Sequence, residues 1–190
     1  KYVFIAFTHG GPAFVEGGGV EQTESLLAEK GVQLDASFLQ RMPGNLLLWY
    51  GAHQGFVHRF QIAQAERRAR RIARIVSSGS SRHERGNPLI SKTVAPREYE
   101  KWLSKLPGAD EGFWITDACN ACGTCEKVCP VKNVRLQDGT PQWQHTCQQC
   151  MACIQHCPKE AIQHGDRTQN RKRYRNPHIR VSELVLQNPR

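Results

Sequence analysis

Eight cysteines, all between residues 119 and 157, constrain this chain more than any other feature. They form two groups, Cys119, Cys122, Cys125, Cys129 and Cys147, Cys150, Cys153, Cys157, each spelling C-x2-C-x2-C-x3-C-P with Pro130 and Pro158 in the last place. Every member of the second group lies 28 positions after its counterpart in the first, and the prolines keep the same register. The region is an internal duplication, so whatever the thiols do, they do twice.

Several roles compete for thiols at this density. Disulfides suit a small secreted scaffold, whereas no basic-then-apolar leader opens the sequence and the rest of the chain is not loop-rich. Zinc favours separated C-x2-C pairs; a third cysteine three residues further on, twice over, argues for iron instead. A mixed His/Cys site of the Rieske type would leave cysteines without a role, and His156 is expected at the surface beside Cys157. A cubane fits best: three thiolates on one tight loop each reach a different iron, and a fourth arrives from elsewhere. In the run C-x2-C-x2-C-x3-C-P the fourth cysteine ligates the other cluster. That rule assigns Cys119, Cys122, Cys125 and Cys157 to one [4Fe-4S] cluster, and Cys147, Cys150, Cys153 and Cys129 to a second. Residues 113–115 (FWI) read as a short strand, and residues 134–136 and 142–143 flank Asp138-Gly139, a hairpin turn signal. Val128, Val131, Val134, Ile154 and Ile162 are expected to keep water from the clusters. The two-cluster ferredoxin pattern covers about residues 111–165.

Charge then needs correction. The chain of 190 residues has a formal net charge of +9, which by itself suggests a polyanionic partner. Two clusters with their thiolates, at about −2 each, bring it to roughly +5. No apolar run approaches the roughly 20 residues of a membrane helix, so no membrane insertion and a cytoplasmic location are the expectations.

Residues 2–7 (YVFIAF) read as a buried parallel strand running into Thr8-His9-Gly10-Gly11-Pro12. A helix is expected over about 20–30, with Leu26 and Leu27 inward and Gly31 ending it, then a strand over 32–39. Residues 45–51 read as an apolar loop. A long helix over about 56–76 carries an apolar stripe of Ile62, Ala65, Ala69, Ile72, Ala73 and Val76. Strand, helix, strand, helix argues for a doubly wound α/β domain, and two strands imply a half-domain. A polar linker over 77–88 and a short helix after Pro96, with Tyr99, Trp102, Leu103 and Leu106 on one face, lead into the cysteines. Beyond them, Arg167, Arg171, Lys172, Arg173 and Arg175 give a basic tail, expected to be solvated.

Taken together, YVFIAFTHGGP, LDASFLQRMPGNLLLWYG, CNACGTCEKVCPVKNV, CQQCMACIQHCPKEAI and RTQNRKRYRNP resemble the ferrodoxin family, in which a flavodoxin-like domain is fused to a C-terminal two-cluster ferredoxin. The resemblance runs over about residues 1–180. It implies an α/β + α+β chain: the C-terminal half of a flavodoxin-like doubly wound domain (1–77), a linker and short helix (78–110), a 2[4Fe-4S] ferredoxin domain (111–165) and a basic tail (166–190). It implies a longer complete protein, in which Thr8, His9, Gly10 and Gly11 would border an FMN; the first three flavodoxin strands and the phosphate loop have no match here.

The function implied is single-electron transfer through two [4Fe-4S] clusters, with redox proteins, acidic ones among them, as partners. No Ser-His-Asp set, paired carboxylates or uncommitted thiol suggests turnover chemistry, so a carrier is expected rather than an enzyme. An alternative is an iron–sulfur subunit of a larger anaerobic reductase. A third, from another class, is a nucleic-acid-binding protein with structural clusters. Against that one, aromatic residues do not interleave with the basic ones as a stacking platform requires.

Overall fold

The computed structural model describes residues 1–11 and 18–186. The chain divides between two units, Lys1–Gly44 with Gln54–Lys101 and Asn45–His53 with Trp102–Arg190. Residues 45–53 belong to the second unit and residues 78–101 to the first.

In the first unit, β1 (Phe4–His9) and β2 (Ala36–Arg41) pair in parallel, from Phe4 opposite Ala36 to His9 opposite Arg41. A third parallel strand, β3 (Arg82–His83), pairs with Ala36 and Ser37. It lies within the stretch expected as a linker, where a two-residue strand leaves no hydrophobic pattern to read. Helix α1 (Gly19–Ala28) joins β1 to β2, and α2 (Gly55–Ser77) lies between β2 and β3. Three sequential parallel strands make this unit α/β; a flavodoxin-like doubly wound fold goes further than these three strands carry.

Burial follows position in the sheet. Central β2 is buried along most of its length, with Ala36, Phe38 and Ile72 forming a core beneath partly covered Tyr2, Ile75 and Val76. β1 is parallel as expected but not buried: it lies at the sheet edge, with Phe4 and Phe7 exposed. Two helical expectations need correction. On α1 the inward residue is Val20, and Leu26 is exposed. On α2 the buried face runs through Ile62, Ala65 and Ile72, while Ala69 and Ala73 face solvent. Arg68 takes the intervening place, donating to Leu39 O at 3.3 Å and pairing with Glu84. A stripe drawn from apolar residues alone misses a guanidinium that a partly buried carboxylate recruits.

Gly31 closes α1 as expected, at φ 71°. Gly19 is held by packing, since a Cβ there would lie 2.7 Å from the Phe7 ring. Residues 12–17 of the glycine-rich stretch, Pro12 among them, lie outside the described residues. Helix α3 (Ala95–Lys105) follows a π-turn over Ile90–Val94. The wide turn directly precedes Pro96, whose ring and missing N–H deny the preceding carbonyls an α-helical donor. Tyr99, Trp102 and Leu103 remain exposed on α3.

The second unit is built from the duplication. β4 (Phe113–Ile115), α4 (Thr124–Val128) and β5 (Val134–Gln137) are followed by β6 (Thr140–Trp143), α5 (Ala152–His156) and β7 (Ile162–His164). The strands pair across the repeat: β4 with β7, and β5 with β6, both antiparallel. The β5–β6 turn has Asp138 at φ 48° and Gly139 at φ 77°, two successive left-handed residues as a type I′ hairpin requires. Phe113 stacks on Trp143 at 5.4 Å and meets His164 edge-on at 4.7 Å. A last helix, α6 (Val181–Leu186), packs against α4.

Segment 45–53 belongs here because of three contacts. Leu47 is 1% exposed in the core beside the cysteines, Gln155 Nε2 donates to Asn45 O at 2.8 Å, and Ala52 N donates to Lys172 O at 3.0 Å. The basic tail is likewise structural. Arg171 donates to Leu47 O, Arg173 to Thr168 O and Ile162 O, and Arg175 to Gln155 O and Cys157 O. Instead of being solvated, as expected, the tail is held by backbone carbonyls of Leu47, Gln155, Cys157, Ile162 and Thr168.

Candidate metal centre

Each cysteine loop ends in a five-residue helix whose preceding residue is left-handed: Gly123 at φ 70° before α4, Met151 at φ 62° before α5. Ala121 and Gln149, and Lys132 and Glu160, are further left-handed pairs at the repeat distance. Alternating handedness over so few residues curls the backbone, which is how three side chains from one loop come to border one space. Cys129 and Cys157 follow the helices in extended conformation, at ψ 110° and 118°. The proline after each enforces this, since its ring disfavours the α region for the residue before it.

Four of the thiols meet across the repeat. Cys119, Cys122 and Cys125 share a cavity with Cys157, walled by Leu136, Pro141 and Ile162. Burial pushes the Cys125 thiol up to about 11, and nearby Cys157 and Cys122 push in the same direction. Burial also raises Cys147, with Cys150 and Cys129 adding to it, and raises Cys153, again with Cys150, Cys147 and Cys129 as anionic neighbours. Cys125 also acts on Cys153, so the two sets adjoin. Among the described residues, no three His, Cys, Asp or Glu side chains close on a point as ligands of one ion do. A cubane makes a different demand, because each thiolate binds its own iron and the sulfurs stand apart.

Backbone N–H groups already point at sulfur. Asn133 N donates to Cys129 Sγ at 3.1 Å and Ala161 N to Cys157 Sγ at 3.3 Å, at equivalent places in the repeat. Gln149 N donates to Cys147 Sγ at 3.4 Å. Such bonds favour thiolate over thiol. Cys122 stands apart: the Thr124 hydroxyl, 3.3 Å away, and the Thr124 N–H lower its thiol below the ordinary range. It is exposed, as is Cys150. The other thiols with shifted equilibria, Cys125, Cys147, Cys150 and Cys153, are all raised by burial, so loading metal must release protons.

Four of the five apolar residues expected to shield the site are buried: Val128, Val134, Ile154 and Ile162. Val131 is exposed, lying in the turn after Pro130 rather than under the loops. His156, expected at the surface, is half-buried, and burial keeps it below the usual imidazole range.

Sequence reasoning missed a buried polar core beside Cys129 and Cys147. The Asp110 side chain has no exposed surface. Its Oδ2 accepts Asn133 Nδ2 at 2.8 Å and His145 N at 3.0 Å, and its Oδ1 lies 2.9 Å from His145 Nδ1. Burial opposes the charge, but the Asn133 and His145 hydrogen bonds outweigh it and hold the carboxyl below its ordinary value. Asn133 Oδ1 in turn accepts from Gln144 N, Thr146 N and Thr146 Oγ1. One signal was available: the repeat places Asn133 opposite Ala161, a polar break in an otherwise apolar register.

The residues expected at a flavin lie in the first unit. Thr8 and His9 end β1, and His9 Nδ1 lies 3.2 Å from Gly11 O. Thr8, His9 and Gly11 border a cavity of about 290 Å³ that also holds Glu21, among the described residues. A carboxylate suits a flavin phosphate poorly, and neither Gly10 nor any lysine or arginine joins the described lining. Nothing in this geometry supports FMN.

The duplicated fold with its eight cysteines is an iron–sulfur domain of the ferredoxin type. Residues 118–172 match the 4Fe-4S dicluster domain family. No solved structure matches the chain. Among the described residues, no helix is long and apolar enough to cross a membrane.

Proposed function

We propose that this chain is a one-electron carrier holding two [4Fe-4S] clusters, one on Cys119, Cys122, Cys125 and Cys157, the other on Cys147, Cys150, Cys153 and Cys129. The observation that carries the pairing is the presence of Cys157 in the cavity of the first loop's three cysteines. The residues fit the group: thiolates for iron, N–H donors on sulfur and an apolar wall. When bound, the clusters supply reversible one-electron oxidation and reduction. The chain's own part is to hold the thiolates, exclude water and present Cys122 and Cys150 at the surface, where partner proteins can approach.

Partners are proposed to be one-electron donor and acceptor proteins. The basic tail is a smaller docking surface than its composition suggests, since Arg171, Arg173 and Arg175 are engaged within the unit. Arg167 and Lys172 remain exposed for an acidic partner.

The test is iron and acid-labile sulfide content of anaerobically purified protein, followed by EPR of the reduced state. About eight of each per chain are expected. Cys129→Ser should then damage the cluster of Cys147, Cys150 and Cys153, leaving that of the first loop. Zinc in place of iron would overturn the function, and selective loss of the first loop's signal would overturn the pairing.

A further inference from the structure

The two halves of the duplication differ most in their buried charge. Near the second set the chain buries an anion: Asp110 acts electrostatically on Cys147 and binds Asn133, whose N–H donates to Cys129 Sγ. Near the first set it buries a cation. Arg173 is 7% exposed and donates to Thr168 O, to Gln163 Oε1 and to the O of Ile162, a residue of the first cavity's wall. Burial lowers the Arg173 guanidinium's value, and Glu160 and then Cys157 act against that lowering. Arg175 donates to Cys157 O at 2.7 Å and Lys159 borders the same cavity, but both are exposed, so the buried Arg173 is the charge that solvent screens least.

Opposing charges exist at both places. Glu160 faces Arg173, and Lys132 holds the equivalent position beside Cys129. Both are exposed, and solvent screens a surface charge far more than a buried one. His145, beside Asp110, is mostly exposed as well, so solvent screens its ring in the same way.

Reducing a cluster by one electron adds a negative charge. A buried anion makes that addition harder and a buried cation easier, with little solvent to damp either effect. We infer that Asp110 and Arg173 order the two clusters, making the one on Cys147, Cys150, Cys153 and Cys129 the stronger reductant and the one on Cys119, Cys122, Cys125 and Cys157 the first to be reduced. Electron flow then has a direction. With both clusters bound, that order would favour entry of one electron from a one-electron donor protein at the Cys150 side and its exit to a one-electron acceptor at the Cys122 side, with no bond made and no proton moved. Asp110 and Arg173 are positioning charges, and their role rests on the two-cluster assignment above.

The test is an electrochemical titration of the iron-loaded full chain, followed by EPR and by the hyperfine-shifted cysteine β-methylene NMR signals. Two separate one-electron steps are expected, with the signals of Cys119, Cys122, Cys125 and Cys157 changing at the higher potential. Asp110→Asn should move the lower step upward and Arg173→Gln the upper step downward, each leaving the other step nearly in place. Arg173→Lys, which keeps the charge, should restore the upper step. Coincident steps, reduction of the second set first, or variants that shift both steps equally would overturn the ordering. Should Arg173→Gln not take up iron, the wild-type order and Asp110→Asn decide the matter. Wild-type protein without iron would instead overturn the cluster assignment, and metal analysis reveals that before any titration.

Discussion

Met151 and Gly123 hold the same place in the repeat, yet only one is glycine. Both are left-handed, at φ 62° and 70°. For a residue with a Cβ that conformation costs roughly 1–2 kcal/mol. Met151 is only 2% exposed and packs in the core with the cysteines, and losing a buried side chain of that size costs about 2–5 kcal/mol. Packing outweighs strain, which explains why methionine is tolerated. Met151→Gly should therefore destabilise the unit by about 2 kcal/mol, the difference between the middles of those two ranges. Chemical denaturation of iron-loaded protein checks the sign: a more stable variant would mean that backbone strain dominates.

At the scale of elements, β3 shows how little local signal a strand needs when a side chain anchors it. Glu84 follows it directly: its N–H donates to Ser37 O at 2.9 Å, and its O accepts from Ser37 Oγ at 3.0 Å. The carboxylate accepts from Leu39 N at 3.1 Å and pairs with Arg68 and Arg82. Burial works against the charge, but Arg68, the Leu39 N–H and Arg82 together hold this carboxyl below its ordinary value. A depressed folded-state value contributes stability that is present above the ordinary carboxylate range and lost as pH falls through it. Glu84→Gln should cost the first unit about 1–3 kcal/mol near neutral pH, and the gap to wild type should close on acidification below about pH 4. Hydrogen exchange in α2, measured at both pH values, reports it; a pH-independent gap would assign the loss to packing.

At the scale of the whole molecule, the two units differ in what holds them. The first has a core of ordinary side chains, Ala36, Phe38 and Ile72. The second includes Cys125, Cys129, Cys153 and Cys157 in its core, so its stability is coupled to whatever those thiols bind. Removing iron with a chelator should abolish hydrogen-exchange protection in the β5–β6 hairpin while sparing α2, a 23-residue helix of the other unit. Simultaneous loss in both would show that they do not fold separately.

The sequence by itself determined whatever depends on neighbours along the chain. C-x2-C-x2-C-x3-C-P prescribes the loops, because proline sets the conformation of the cysteine before it; Asp138-Gly139 prescribes a hairpin; and the 3.6-residue pattern prescribes α2, though not that Arg68 replaces Ala69 on its inner face. Tertiary structure decided what depends on residues far apart. It joined 45–53 to the cysteine unit through Leu47, turned Arg82–His83 into a strand by pairing it with β2, and folded the tail back onto the carbonyls of Ile162 and Cys157. It also placed Asp110 and Arg173 beside different sets of thiols. The physical reason is the same in each case: a backbone motif satisfies its hydrogen bonds within a few residues, whereas a buried charge or an orphaned carbonyl takes its partner from whatever segment the fold brings near.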